Sequence, residues 1–146
     1  MQKCPCIYIF HIFAAHFFYK KTIETMKTEK QLQGILGEDL AVNLLLQKGY
    51  RILERNWRCG HLEIDIIAEC KDYVTIVEVK TRKGIAFGSP EIFVDLQKQK
   101  RLIRAAKYYA KFRNITKEIR FDIISVVNNP EMQDIRHIEN AFKPRW

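Results

Sequence analysis

Three runs of strand-forming residues follow one another with only short turns between them, and this pattern narrows the available folds most. The runs are residues 50–58, 62–70 and 73–82, and they are rich in β-branched and aromatic residues, which favour strands. Only Lys71 and Asp72 separate the second run from the third. A connection this short joins neighbouring antiparallel strands. The sequence therefore predicts a sheet built around this hairpin.

Helical patterns on either side of the three runs indicate an α/β fold. Leucine and isoleucine recur at helical spacing before the first run, and Gly49 is suited to end that helix. After a loop over residues 83–90, Asp95 can cap a second helix that runs to Phe112. Its predicted core-facing residues are Leu96, Ile103, Ala106, Tyr109 and Ala110. Residues 121–127 form another predicted strand, and residues 136–141 a short last one. The pattern predicts one domain over residues 27–146, with helices flanking a central mixed sheet in the order α-β-β-β-α-β.

The first 26 residues differ from the rest of the chain. Residues 7–19 are apolar and aromatic, but this stretch is shorter than the roughly 20 residues that a membrane-spanning helix needs. No signal-peptide cleavage site follows it. We interpret residues 1–26 as a mis-assigned start, with translation beginning at Met26, or as a disordered extension. A tethering or partner-binding segment is the alternative. The expected location is the cytoplasm, without a membrane span.

The cysteines indicate a reducing compartment rather than a disulfide framework. Cys4, Cys6, Cys59 and Cys70 show no repeated spacing of the kind that disulfide-rich domains have. A zinc site is the alternative, but its four ligands have poor spacing for a zinc finger. Those ligands would be Cys4, Cys6, His11 and His16.

Positive charge is concentrated in one part of the chain. The 25 Lys and Arg residues outnumber 17 Asp and Glu residues, giving a net charge of +8. Between Lys98 and Arg120, nine basic residues accompany a single acid, Glu118. A basic helical stripe suits the phosphates of nucleic acid, whereas the alternative is a solvated face. The predicted nucleic-acid-binding residues are Lys98, Lys100, Arg101, Arg104, Lys107 and Lys111.

Two acids and a lysine in the predicted hairpin suit metal-dependent hydrolysis. Glu78 and Lys80 are two positions apart on one strand, so they project to the same face, and the hairpin brings Asp65 opposite Glu78. Two carboxylates are typical ligands for Mg²⁺ or Mn²⁺, and Lys80 could assist the attacking water. The alternative is a strand-edge ion pair.

Further polar residues could contribute to this site. In the first helix, Gly34, Glu38, Ala41 and Leu45 share a stripe whose small residues permit close approach to the sheet. A carboxylate on such a stripe needs a cation or a donor, so Glu38 is a third candidate metal ligand. The alternative is that Glu38 lies at the solvent-exposed edge of the stripe, where it caps the helix or pairs with a lysine. Glu63 could bind the metal through water or solvate the turn. A surface or structural role is the interpretation for His61 and His137.

Several motifs together resemble those of the YraN family, uncharacterised protein family 0102. They lie at residues 34–41, 49–50, 56–58, 63–65, 77–82 and 87–88, and at Lys98. The resemblance implies a restriction-endonuclease-like fold, a likeness to archaeal Holliday-junction resolvases, and a PD-(D/E)xK-type site. It assigns Glu38, Asp65, Glu78 and Lys80 as catalytic residues, with Glu63 and Arg82 as auxiliary residues. In this chain Ile64 stands where the motif has proline.

The functional prediction is a Mg²⁺- or Mn²⁺-dependent DNA endonuclease, with branched or repair intermediates as substrates. The resemblance to junction resolvases also suggests a homodimer, and RNA remains open as a partner. One alternative is a module that holds DNA or RNA on the basic face without cutting it. Another is an interaction protein that recruits a partner through the apolar N-terminal segment.

Overall fold

The computed structural model describes residues 28–82, 94–130 and 132–144. The chain divides into two units, Met1–Leu32 and Gln33–Trp146. The predicted extension over residues 1–26 and the predicted loop over residues 83–90 lie outside the described residues, as do the four proposed zinc ligands. The start at Met26 therefore stays a prediction. Neither described helix is long and apolar enough to cross a membrane.

The predicted α/β fold with a mixed sheet is confirmed. The five strands lie in sequence order in the sheet, and every neighbouring pair is antiparallel except β3 with β4, which is parallel. A parallel pair needs a long crossover connection, and the second helix lies between these strands in the chain. The predicted short last strand is a full edge strand. The elements are α1 Glu29–Gln47, β1 Arg51–Cys59, β2 Leu62–Cys70, β3 Tyr73–Arg82, α2 Leu96–Arg113, β4 Glu118–Asn129 and β5 Met132–Phe142.

Each helix covers one face of the sheet. Successive strand residues point to opposite faces, so Ile76 packs in the cluster that contains the buried residues of α2. Its neighbour Val77 packs in the cluster that contains Ala41 and Leu45 of α1. Two separate hydrophobic cores therefore sandwich β3, the strand that carries Glu78 and Lys80.

The sequence predicts that α1 meets the sheet through Gly34. In the structure, the helix instead meets the sheet through Gly37. The buried stripe of the helix is Gly37, Ala41 and Leu45, and nothing lies within 4 Å of a Cβ placed at Gly34. Leu36 is 45% exposed, so part of the leucine-rich pattern faces away from the core. The helical period and the core-facing positions of Ala41 and Leu45 were therefore predicted correctly, but the stripe continues through Gly37 and not through Gly34.

Replacing Gly37 with Ala is expected to destabilise the protein by about 1 to 3 kcal/mol, the usual cost of overpacking. A Cβ at Gly37 would lie 3.0 Å from the Cβ of Thr81 and closer still to its hydroxyl oxygen. The added methyl group would push α1 away from β3 next to Lys80. Urea unfolding measures the change, and Gly34→Ala is the matched control, expected to be neutral or slightly stabilising. Equal stabilities of the two variants would contradict the close approach.

Helix α2 begins where the sequence predicted. Asp95 is the N-cap and its Oδ1 accepts a hydrogen bond from the Lys98 N–H at 2.7 Å. Asn114, with φ 52°, caps the other end. The predicted core-facing residue Leu96 is instead 72% exposed, since it lies at the first position of the helix. The buried residues of the helix are Leu102, Ala105, Ala106 and Tyr109. The sequence predicted Ala106 and Tyr109 but not the other two.

Candidate functional site

The end of β3 carries an acid and a lysine on the face that α2 covers. Val74 and Ile76 pack in the core on that side, and alternate strand residues share a face, so Glu78 and Lys80 continue the same row. Lys80 Nζ donates to Glu78 Oε1 at 2.7 Å. Glu78 is only 2% exposed. A carboxylate this deeply buried needs compensating charge or donors, and Lys80 supplies one of them.

A second lysine reaches Glu78 from the first turn of α2. Lys98 Nζ lies 3.0 Å from Glu78 Oε2, and the Asp95 cap holds the backbone of that turn. Glu78 Oε2 is nevertheless buried without a hydrogen bond of good geometry. The lysine is therefore close enough for an ion pair with this oxygen. Glu78 keeps an acceptor that another ligand could use.

The pairing of β2 with β3 brings Asp65 beside Glu78. The paired residues end at Ile66 and Val77, and Asp65 and Glu78 are the next residues on their strands. Asp65 Oδ2 accepts a hydrogen bond from the Val79 N–H at 2.8 Å. Burial, followed by the charge of Glu78, raises the pKa of Asp65 from 3.8 to about 7 against the opposing effect of that hydrogen bond. Asp65 and Glu78 thus repel each other when both are ionised.

Glu38 reaches the same region from α1. Its Oε2 accepts a hydrogen bond from Asn56 Nδ2 at 3.0 Å, and its negative charge contributes to the raised pKa of Asp65. Asn56 has φ 51° within β1, a left-handed conformation that asparagine adopts more readily than most residues. Asn56 was not among the predicted site residues, although it belongs to a motif that carries the family resemblance. The structure adds it as the partner of Glu38.

The acids of this region suit a cation held by two carboxylates. Among the described residues, no group of three or more His, Cys, Asp and Glu side chains is arranged to hold a metal ion. Mg²⁺ usually takes one or two protein carboxylates, with water and phosphate oxygens completing its coordination. The raised pKa of Asp65 and the unsatisfied oxygen of Glu78 fit that pattern. Glu38 is hydrogen-bonded to Asn56 and would join as a third ligand only after a side-chain shift.

A cavity of about 300 Å³ lies beside Lys98. His61, Glu63 and Arg101 complete its lining. Glu63, predicted as an auxiliary residue, is therefore near the lysine that contacts Glu78, although its carboxylate is itself 3.9 Å from the Arg58 guanidinium. The other predicted auxiliary residue, Arg82, ends β3 opposite Val127 of β4.

The predicted nucleic-acid-binding residues fall into two groups. Lys98 is directed into the site, and its side chain is only 17% exposed. The other five lie on the solvent-facing side of α2, and each is exposed: Lys100, Arg101, Arg104, Lys107 and Lys111. Helix α2 thus connects the buried site to a basic outer face.

A second buried polar cluster joins β4 to β5. His137 Nε2 lies 2.8 Å from Asp122 Oδ2, and the Arg120 guanidinium donates to both oxygens of Asp122, at 2.9 and 2.7 Å. Burial raises the pKa of Asp122, but the hydrogen bonds from His137, Arg120 and the Asn140 N–H together hold it below its ordinary value. Every acceptor of Asp122 is therefore engaged within the protein. This cluster has the structural role predicted for His137.

Residues 37–126 match the model of uncharacterised protein family UPF0102. The chain belongs to this family. The matched segment begins at the close-approach glycine and contains all four proposed catalytic residues as well as the whole of α2.

UPF0102 proteins from distant bacteria are similar to this chain over most of their length. One from Bacteroides thetaiotaomicron is 48% identical over 111 residues, which are 76% of this chain and 92% of that protein. One from Persephonella marina is 47% identical over 112 residues, 76% of this chain and 93% of that protein. One from Caldanaerobacter subterraneus is 42% identical over 120 residues, 80% of this chain and 98% of that protein. The shared part is thus nearly the whole of each relative.

Proposed function

We propose that this UPF0102 protein is a Mg²⁺- or Mn²⁺-dependent endonuclease that hydrolyses phosphodiester bonds in DNA. The pair formed by the half-buried Asp65 and the buried Glu78 carries the proposal. Two like charges held together destabilise a fold, and the pKa of Asp65 is raised to about 7 as a result of burial and that repulsion. A hard divalent cation relieves the repulsion and also brings phosphate oxygens to the carboxylates.

Each residue of the site has a distinct role in this proposal. A bound cation would supply Lewis acidity and an activated water molecule. Asp65 and Glu78 would hold the cation, with Glu38 as the third proposed ligand. Lys80 orients the attacking water and stabilises the negative charge that develops on the phosphate. Lys98, 3.0 Å from Glu78, adds a second positive charge that attracts the phosphate.

The proposed substrate is a polynucleotide because all five of the predicted basic residues on the outer face of α2 are exposed. Lysine and arginine neutralise backbone phosphates and release counterions, which favours binding to any nucleic acid. Branched or repair intermediates are the proposed DNA structures, in a cytoplasmic protein. A homodimer would present two such sites to the two strands of a junction, and sedimentation with and without junction DNA tests that arrangement.

A nucleic-acid-binding module without catalysis is the second candidate function. One observation favours it: Glu78 already has Lys80 at 2.7 Å and Lys98 at 3.0 Å, as expected for a self-compensated ion cluster. Binding alone, however, gives no reason for a second, half-buried acid, Asp65, beside Glu78. Acids so close to bound phosphate would weaken binding. The endonuclease therefore explains more of the site than the binding module does.

A cleavage assay on the purified full-length protein separates the two candidates. Branched, flapped and linear DNA, with single-stranded RNA alongside, would be incubated in Mg²⁺, in Mn²⁺ and in EDTA. The endonuclease proposal expects cuts only when a divalent cation is present. Intact nucleic-acid binding, with neither metal binding nor cleavage, would support the binding module.

The salt dependence of DNA binding should locate the contact face on α2. Changing Lys100 and Lys111 to Ala should make the slope of log affinity against log salt less negative by about 1.8, if each lysine neutralises one phosphate of duplex DNA. The loss should be similar for unrelated sequences because phosphate contacts carry no sequence information. Fluorescence anisotropy over a salt series measures the slope.

A control variant with the same change in net charge is Arg51→Ala with Arg136→Ala. These side chains are 73% and 72% exposed on β1 and β5, where each is in a surface ion pair, so the expected cost in stability is small. Their loss should leave the slope nearly unchanged. An equal change in both double variants would mean that net charge, and not the face of α2, determines binding.

A further inference from the structure

Two large aromatic side chains on α2 face solvent. Tyr108 is 49% exposed and Phe112 is 74% exposed, whereas the helix packs on the sheet through other residues, among them Leu102 and Tyr109. The hydrophobic core therefore does not explain these two aromatic residues. They lie four positions apart, and residues at this spacing are neighbours on a helix surface.

The positions of these aromatic residues relative to the basic residues form a regular pattern. At 3.6 residues per turn, Arg101, Arg104, Tyr108 and Phe112 fall along one stripe of the helix. All four are exposed. A second exposed row lies beside this stripe at the spacing i, i+7 and i+11, and all of its members are lysines: Lys100, Lys107 and Lys111. A stripe that ends in two aromatic rings thus runs parallel to a row of positive charges.

We propose that this surface, the α2 track, binds single-stranded nucleic acid, with bases stacked on Tyr108 and Phe112 and phosphates against the lysine row. Aromatic platforms beside a positive groove are the usual means of holding unpaired strands. In a duplex the faces of the bases are covered by their neighbours, so exposed rings gain little from it. The charges suit any nucleic acid, and the rings select for unpaired bases.

The α2 track leads to the carboxylate site. Its first residue, Arg101, lines the same cavity as Lys98, and Lys98 contacts Glu78. From Lys98 to Phe112 the helix rises about 21 Å, at about 1.5 Å per residue. That length is enough to contact several nucleotides of one strand. In this respect the inference rests on the proposed function and narrows its substrate to DNA with a single-stranded arm that begins near the site.

Binding in EDTA tests the α2 track independently of cleavage. The double variant Tyr108→Leu with Phe112→Leu keeps apolar, helix-forming side chains but removes the planar rings. Its affinity for a 20-nucleotide oligo(dT) should fall at least roughly tenfold, since stacking contributes about 1 to 3 kcal/mol per base. Its affinity for a blunt 20-base-pair duplex should stay within about twofold, because duplex binding depends on the lysines.

Two further variants separate stacking from other causes. Tyr108→Trp with Phe112→Trp retains planar rings and should bind oligo(dT) at least as tightly as the original chain. Leu46→Ala removes an exposed apolar side chain from α1, where Leu46 is 53% exposed, and should change neither affinity. Thermal unfolding checks that all variants are folded, as expected for substitutions at exposed positions.

Two results would overturn the α2 track. The first is an unchanged oligo(dT) affinity in the double leucine variant, and the second is an equal loss for oligo(dT) and duplex. If an unchanged affinity were accompanied by a loss of self-association, the rings would be a protein contact. A wild-type protein that binds oligo(dT) through the rings but never cuts DNA would uphold the track and contradict only the proposed endonuclease.

Discussion

Replacing Asp65 with Asn is expected to abolish Mg²⁺ and Mn²⁺ binding and DNA cleavage while making the protein more stable at pH 8. The amide cannot act as an anionic ligand, but its oxygen can still accept the Val79 hydrogen bond. The pKa of Asp65 rises from 3.8 to about 7 on folding, so the fold favours the protonated acid. The stability that Asp65 contributes is fully present below its pKa in the unfolded chain, and it is lost as pH rises through its folded-state pKa of about 7. At pH 8 the ionised Asp65 lowers the free energy of unfolding by its full amount, on the order of 2 to 4 kcal/mol. The neutral Asn side chain removes this loss.

Calorimetric metal titration and urea unfolding in EDTA measure the two effects on one variant. The gain in stability should shrink as pH is lowered from 8 to 5, because Asp65 is then increasingly protonated in the folded protein. Asp72→Asn is the matched control, since Asp72 is exposed in the β2–β3 turn, and it should change neither metal binding nor stability appreciably. Metal binding that survived in both Asp65→Asn and Glu78→Gln would refute the proposed site.

Replacing Lys80 with Ala should lower the cleavage rate by about 10² to 10⁴, the usual contribution of one positioned acid–base group. Both carboxylates stay in place, and Lys98 still balances Glu78, so metal and DNA should bind nearly as before. Single-turnover cleavage at saturating metal isolates the chemical step from binding.

Lys143→Ala is the control for charge, because Lys143 is an exposed lysine just after β5. Its cleavage rate should equal that of the original chain. If Lys80→Ala instead lost metal binding along with cleavage, Lys80 would be needed to keep Glu78 in position, and its assignment to the chemical step would be wrong.

The hairpin and its site acids were predictable because local rules determine them. Strands β2 and β3 have the predicted bounds, since a two-residue turn leaves only one antiparallel register. That register sets Asp65 beside Glu78 without any information from the rest of the fold. Asp95 was likewise identifiable from its position before a helical pattern, and the structure confirms its cap.

Features that depend on tertiary packing were not predictable. Gly34 and Gly37 are equally small, and only the position of Thr81 in the folded sheet makes Gly37 the point of close approach. Leu96 is apolar but lies at the exposed start of its helix, whereas the small residue Ala105 is fully buried. The hydrogen bond between Glu38 and Asn56 joins α1 to β1, which are separate elements. The left-handed backbone of Asn56 gives no periodic pattern in the sequence. Hydrophobic spacing does not carry this information.

The contact between Lys98 of α2 and Glu78 of β3 also affects the order of folding. The β2–β3 hairpin is local in sequence, so it can form early, with Glu78 still hydrated. Docking of α2 covers Glu78 and brings Lys98 to it as a second counter-ion beside Lys80, which offsets the cost of removing that water. Desolvation of Glu78 and docking of α2 are therefore one event. A nascent chain that had not yet docked α2 would lack the ion pair between Lys98 and Glu78, and the proposed endonuclease site would be incomplete.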